Sequence, residues 1–123
     1  MQPTVLFYNL ESEKGKKIKL LCIQQKLKIR TVYPMEFEKT LGDLLTSPSD
    51  TSSQAEETAF SEEMLVLAGV YGQKLDQFLK ALRRQKLFVP LKAVLTQENV
   101  GWTSSALCQE LKEEHQKIQE QQK

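Results

Sequence analysis

The chain has 123 residues, with 17 Lys+Arg against 16 Asp+Glu for a formal charge of +1, and is 40% hydrophobic and 27% charged. These values describe a single soluble globular domain with one substantial core and give no global field to steer it toward nucleic acid or a membrane. No apolar run approaches the roughly 20 residues of a membrane helix, Met1-Gln2-Pro3-Thr4 does not read as a secretion signal, and the isolated Cys22 and Cys108 argue for a reducing cytoplasm and against a disulfide framework or a thiolate metal site.

Thr4 to Leu10 is a nearly continuous apolar run rich in β-branched and aromatic residues, which predicts a strand buried on both faces. Glu11 to Gly15 turns the chain, with Ser12 as a helix cap. From Lys16 to about Leu27 the spacing predicts a helix with Ile18, Leu21, Cys22 and Gln25 on one face. Leu20, Ile23 and Leu27 point elsewhere, so this helix is expected to be covered on two sides. Lys28 to Tyr33 reads as a second strand ended by Pro34, and Thr40 to Leu45 as a short helix in which Thr40 and Asp43 have capping-box spacing.

Residues 46–59 lose the apolar period and read as a flexible polar linker. Met64 to Val70 is a third buried strand. Tyr71 to Gln85 is the clearest helix, with Leu75, Phe78, Leu79 and Leu82 in one stripe. Phe88 to Thr96 is a fourth strand in which Pro90 marks an edge, a bulge or the strand start. Gln97 to Trp102 forms a loop, and Thr103 or Ser104 caps a last helix that carries Leu107, Cys108, Leu111 and Ile118 and frays over 116–123.

The order of elements repeats. Val5 to Tyr8 matches Leu65 to Ala68, and along the helices Gly15 pairs with Gly72, Ile18 with Leu75, Leu21 with Phe78, Cys22 with Leu79 and Gln25 with Leu82. Phe37 and Trp102 each precede a short Thr-capped helix. The expected fold is therefore α/β: a small four-stranded, mainly parallel sheet from a duplicated β-α-β-α unit with helices packed on it. The halves, about 3–45 and 63–115, make a single domain over 1–123. A true helix between Phe37 and Leu45 returns the chain and keeps the strands parallel. A plain loop there gives the alternative, an α+β ferredoxin-like sheet in which the second and third strands pair antiparallel.

The second half also carries Val89-Pro90-Leu91-Lys92-Ala93-Val94-Leu95-Thr96, then Asn99, Trp102-Thr103, and Glu110-Leu111-Lys112-Glu113-Glu114-His115. With Met64 to Val70 and Leu75 to Leu79, in that order and spacing, these residues resemble a small bacterial family known only as a domain of unknown function. The likeness covers about residues 62–115, and Thr40 to Leu45 agrees with it in the first half. It implies a short bacterial cytoplasmic protein and carries over no catalytic residue.

Six residues are candidates for a ligand site: Gly69, Gly72, Lys92, Thr96, Asn99 and Trp102. Gly69 and Gly72 join a strand to a helix N-terminus, where free amides attract anions, although such glycines usually serve backbone shape. Lys92 interrupts an apolar strand; it is either buried with a lowered pKa, as in catalytic lysines, or an edge residue facing water. Thr96, Asn99, Trp102 and Thr103 gather where the fourth strand meets the last helix, the end at which open parallel sheets bind ligands. There Trp102 could line a pocket or anchor the loop, and Asn99 could bind or close a turn.

No catalytic set can be assembled. His115 is the single histidine and reads as a surface residue, and both cysteines fall on apolar helix faces. Residues 1–30 hold seven basic and two acidic residues, net +5, and residues 31–60 one and six, net −5. Lys14, Lys16, Lys17, Lys19, Lys26, Lys28 and Arg30, with Lys80, Arg83, Arg84 and Lys86, offer phosphate contacts. They lack the interleaved aromatics of single-strand binders, and solvated helix faces explain them more simply.

The function expected is a small non-catalytic cytoplasmic domain that binds a partner protein or a small ligand in a regulatory role, with no cofactor, no metal and no membrane partner. The alternatives are a small enzyme or ligand sensor with a pocket at Lys92, Thr96, Asn99 and Trp102, or weak nucleic-acid binding through the basic helices. A homodimer through an edge strand stays open.

Overall fold

A computed structural model describes residues 3–10, 12–33, 36–46 and 62–121. Pro34 and the linker 46–59, apart from Thr46, lie outside the described residues, as does the side chain of His115. The elements are β1 (Thr4–Tyr8), α1 (Glu13–Gln24), β2 (Lys28–Val32), α2 (Leu41–Thr46), β3 (Met64–Ala68), α3 (Gly72–Arg84), β4 (Leu91–Val94) and α4 (Ser104–Gln121). The order β-α-β-α thus runs twice. The helical backbone of α4 runs to Gln121.

Local chemistry sets the boundaries. Ser12 caps α1, its Oγ accepting a hydrogen bond from the Gly15 amide at 3.3 Å. The Oγ1 atoms of Thr40 and Thr103 accept in the same way from the Asp43 and Ala106 amides, at 3.2 and 3.1 Å. β1 and β3 end at Asn9 (φ 59°) and Gly69 (φ 75°), both left-handed. α1 and α3 end at Gln25 and Gln85, each followed by a left-handed lysine, Lys26 (φ 60°) and Lys86 (φ 58°). The amides of Leu27 and Leu87 then donate back to the Cys22 and Leu82 carbonyls, at 2.8 and 2.9 Å. These marks set the register between the two helices: seven residues before Gln25 and Gln85 stand Ile18 and Phe78. The equivalence of Ile18 with Leu75, and of Gly15 with Gly72, is therefore displaced.

One sheet runs in the order β2-β1-β3-β4. β1 and β2 are parallel, β3 and β4 are parallel, and the central β1 and β3 are antiparallel, with Leu6 opposite Val66. The sheet is mainly parallel, but the short helix does not make it wholly so. The helix between β2 and β3 is present, but β3 enters beside β1 in the opposite direction. β2 and β3 do not pair, which removes the ferredoxin-like arrangement.

All ten residues of β1 and β3 are buried, as central strands covered on both faces require. On one face Val5, Phe7, Leu65 and Leu67 meet Ile18, Leu21 and Cys22 of α1 and Phe78 and Leu82 of α3. On the other Leu6, Tyr8, Met64 and Val66 meet Phe37, Leu41, Leu44, Leu107 and Cys108. The fold is a three-layer α/β/α stack, with α1 and α3 above the sheet and α2 and α4 below. Only one side of α1 is covered: Leu27 is buried just past the helix, whereas Leu20 and Ile23 are exposed.

The lower layer is joined across the middle. The Leu41 amide donates to the Trp102 carbonyl at 2.9 Å and the Ser105 amide to the Phe37 carbonyl at 3.2 Å, and Thr40 bridges Thr103. The Tyr8 hydroxyl shares a buried hydrogen bond of 2.7 Å with Ser104 Oγ, and burial drives its pKa upward.

Candidate functional site

β3 and β4 finish at the same end of the sheet, and the chain leaves them in different ways. After β3, the left-handed Gly69 turns the backbone, Val70 is buried, and the exposed Tyr71 precedes α3 without a side-chain cap. Gly72 is also left-handed (φ 58°). After β4, the Leu95 amide still pairs with the Leu67 carbonyl at 2.8 Å, and a tight loop follows.

Asn99 holds that loop. Its Oδ1 accepts from the Thr96 amide at 2.8 Å, its Nδ2 donates to the Val94 carbonyl at 3.2 Å, and its own amide donates to Thr96 Oγ1 at 3.1 Å. Trp102 is half-buried against the lower core, its amide donating to the Asn99 carbonyl at 2.9 Å. Asn99 and Trp102 thus shape the loop from behind.

Between these two exits lies a cleft of about 730 Å³. Gly69 and Tyr71 line it after β3, and Val94, Leu95, Thr96, Gln97 and Val100 line it at and after the end of β4. The surface is mainly apolar, and Tyr71, Thr96 and Gln97 are its polar side chains. Such a lining suits a flat apolar group oriented by a few hydrogen bonds.

Of the six candidates, Gly69 and Thr96 line the cleft. Gly72, Lys92, Asn99 and Trp102 do not. Lys92 is exposed near the start of β4, an edge strand. Its Nζ turns back to donate to the Val89 carbonyl at 2.9 Å, and partial desolvation lowers its pKa. The sequence reading missed Tyr71, Gln97 and Val100, which carry no signal beyond their nearness to Gly69 and Asn99. It also grouped Arg30 with the phosphate-contacting cations. Arg30 instead folds back over the sheet, its Nη2 donating to Glu36 Oε2 at 2.8 Å, with Glu36 fully buried.

Both thiols sit in apolar surroundings. Burial pushes the Cys22 pKa up to about 12. Cys108 rises to about 11, chiefly through burial and further through Glu62, with Lys112 opposing. Neither thiol is expected to react with a disulfide exchange reagent at neutral pH while the protein is folded, and both are expected to react promptly in denaturant, since the thiolate is the reactive form. Fast native labelling of either residue in a time course would contradict its buried placement. Among the described residues, no group of three or more His, Cys, Asp or Glu side chains gathers to hold a metal ion.

The geometry defines a small three-layer α/β domain with an apolar cleft at the carboxyl ends of a parallel strand pair. Residues 63–118, which are β3, α3, β4 and most of α4, match the family model described as a domain of unknown function, DUF3783. The likeness read from the motifs of the second half therefore stands, over nearly the same residues. No curated protein and no solved structure matches the chain.

Proposed function

We propose that the protein is a small non-catalytic domain that binds a small ligand or an apolar segment of a partner in the cleft between Gly69-Tyr71 and Thr96-Val100. One observation carries the reading: an open apolar cleft with few polar points, placed where the parallel strands β3 and β4 end. An enzyme built on Lys92 is the weaker alternative, because Lys92 is spent on the Val89 carbonyl and lies outside the cleft lining. A bacterial, cytoplasmic setting suits the family likeness and the two buried free thiols. The matching left-handed turns and helix ends favour descent from one doubled β-α-β-α unit, with both halves forming a single domain.

A thermal-shift screen against nucleotides, metabolites and short peptides tests the cleft. A ligand at a hundred times its Kd adds about 2.7 kcal/mol to the folded state, so a true ligand raises the melting temperature by several degrees. Gln97→Trp, which fills the mouth of the cleft from an exposed position, is expected to abolish that rise without lowering the unliganded melting temperature. A ligand that stabilises wild type and Q97W equally binds elsewhere and defeats the proposal, as does a screen in which nothing stabilises the wild type.

A further inference from the structure

α1 is apolar on two sides, and the core uses one of them. Ile18, Leu21 and Cys22 go inward, while Leu20 and Ile23, one turn apart, stand on the outer crest 60% and 63% exposed. Scattered surface aliphatics need no explanation, but α3 shows that the fold does not ask for a pair here. Counted back from the matching helix ends Gln25 and Gln85, Leu20 and Ile23 correspond to Lys80 and Arg83, both exposed. The same architectural position is charged in one helix and aliphatic in the other.

The surroundings of the crest are mainly basic. α1 carries four lysines against Glu13, and α3 four basic residues against Asp76; Lys14 is paired with Glu63 and Lys16, at 3.4 Å, with Glu13, while Lys19 lies 5.9 Å over the Phe7 ring. Lys26 and Lys86 extend the charge just beyond the helix ends. On the far side of the sheet, among the described side chains, α2 contributes Asp43, and α4 contributes Glu110, Glu113 and Glu114 with Lys112. A net charge of +1 therefore conceals a separation of sign between the two helical layers. At the foot of the crest lies a hollow of about 490 Å³, walled by Leu10, Ser12, Glu13, Lys16 and Lys19.

We propose that the outer crest of α1 docks an acidic amphipathic helix of a partner protein, its apolar side chains over Leu20 and Ile23 and its carboxylates opposite Lys16, Lys17 and Lys19. An apolar pair one turn apart offers a contact for the apolar stripe of a bound helix, and complementary charge steers and orients the encounter. A nucleic-acid backbone would be served by the Lys80 and Arg83 pattern and gains nothing from two aliphatic chains. A second copy of α1 would set lysines against lysines. An anionic bilayer calls for a wider apolar face than two residues supply. The surface shares no residue with the cleft lining, and the proposal stands apart from it.

Fluorescence anisotropy on the full chain tests the proposal, using a labelled helical peptide with Leu at i, i+3, i+4 and i+7 and Glu between. The informative variant is Leu20→Lys/Ile23→Arg, which copies the α3 crest onto α1 and adds positive charge; Leu20→Gln/Ile23→Gln is its neutral companion. Both replace exposed side chains, and an unchanged melting temperature verifies the fold. The peptide is expected to saturate the wild type, and each variant to bind it at least about tenfold more weakly. A scrambled peptide of equal composition is expected to bind no better than the variants do. Equal or tighter binding by the Lys/Arg variant would show that charge alone acts and would overturn the proposal. So would equal binding of the scrambled peptide, tighter binding of duplex DNA or anionic phosphatidylserine vesicles at physiological salt, or no binding of the ordered peptide at all.

Discussion

Gly15→Ala is expected to remove most or all of the stability of the folded protein. A Cβ at this position would lie 1.7 Å from the Leu10 carbonyl oxygen and 2.7 Å from its carbon. Both are backbone atoms, so no side-chain rotation relieves the overlap. The turn cannot swing away either, because Leu10 follows a strand buried along its whole length and Ser12 holds the first turn of α1 through its bond to the Gly15 amide. Gly15 is buried and absent from the left-handed residues, so it is needed for close approach of α1 to the chain beneath it, not for an unusual dihedral. The expected cost exceeds about 3 kcal/mol, out of a typical total of roughly 5–15. Gly72→Ala provides the contrast. Its Cβ meets nothing within 4 Å and the strain is confined to φ 58°, which costs about 1–2 kcal/mol. Thermal and urea melts followed by circular dichroism measure both. A Gly15→Ala protein that melts within a few degrees of wild type would refute this account of the β1–α1 joint.

The two glycines also show why the internal register was hard to read. Both helices carry apolar residues at three- and four-residue intervals, so sliding one helix three positions along the other leaves the stripe intact. Gly15 then falls beside Gly72, and in sequence that alignment looks better than the one the helix ends mark. The helix ends break the tie, but a lysine gives no sign in sequence that its φ is positive. The strands present a similar degeneracy. Thr4–Tyr8 and Met64–Ala68 were recognisable as doubly covered because they lack alternation. That same lack hides which face each residue takes and whether the partner runs parallel. The caps at Ser12, Thr40 and Thr103 were readable because capping is a local matter of spacing. The cleft was half readable for the opposite reason. Gly69 and Thr96 stand at strand ends that the element order brings together, while Tyr71, Gln97 and Val100 enter only through a loop whose shape Asn99 decides.

Glu36→Ala is the second substitution expected to act strongly, through a group whose role no local pattern announces. Its side chain is fully buried, and Arg30 beside it is only 10% exposed. Glu36 Oε2 accepts from Arg30 Nη2 at 2.8 Å, and Oε1 accepts from Arg30 Nη1 at 3.4 Å and from the Tyr33 amide at 3.1 Å. The pair therefore fixes the exit of β2 where the chain crosses to the lower layer. There Phe37 packs its ring 5.6 Å from that of Tyr8, tilted by 51°. Removing the carboxylate takes away the charge opposite a nearly buried guanidinium, and breaking such a pair from one side costs about 3–5 kcal/mol. Replacing both partners with apolar groups is a different operation, because no uncompensated charge remains. Arg30→Met/Glu36→Leu is accordingly expected to be more stable than Glu36→Ala alone, and Glu36→Gln, whose one amide oxygen can still accept from the Tyr33 amide and Arg30 Nη1 but which loses the charge and the acceptor for Nη2, to fall between wild type and Glu36→Ala. Urea denaturation of the three variants gives the ordering. If Glu36→Ala unfolds near the wild-type midpoint, or the double variant is worse than Glu36→Ala, the pair does not anchor the β2 exit and the lower layer is held by its apolar contacts alone.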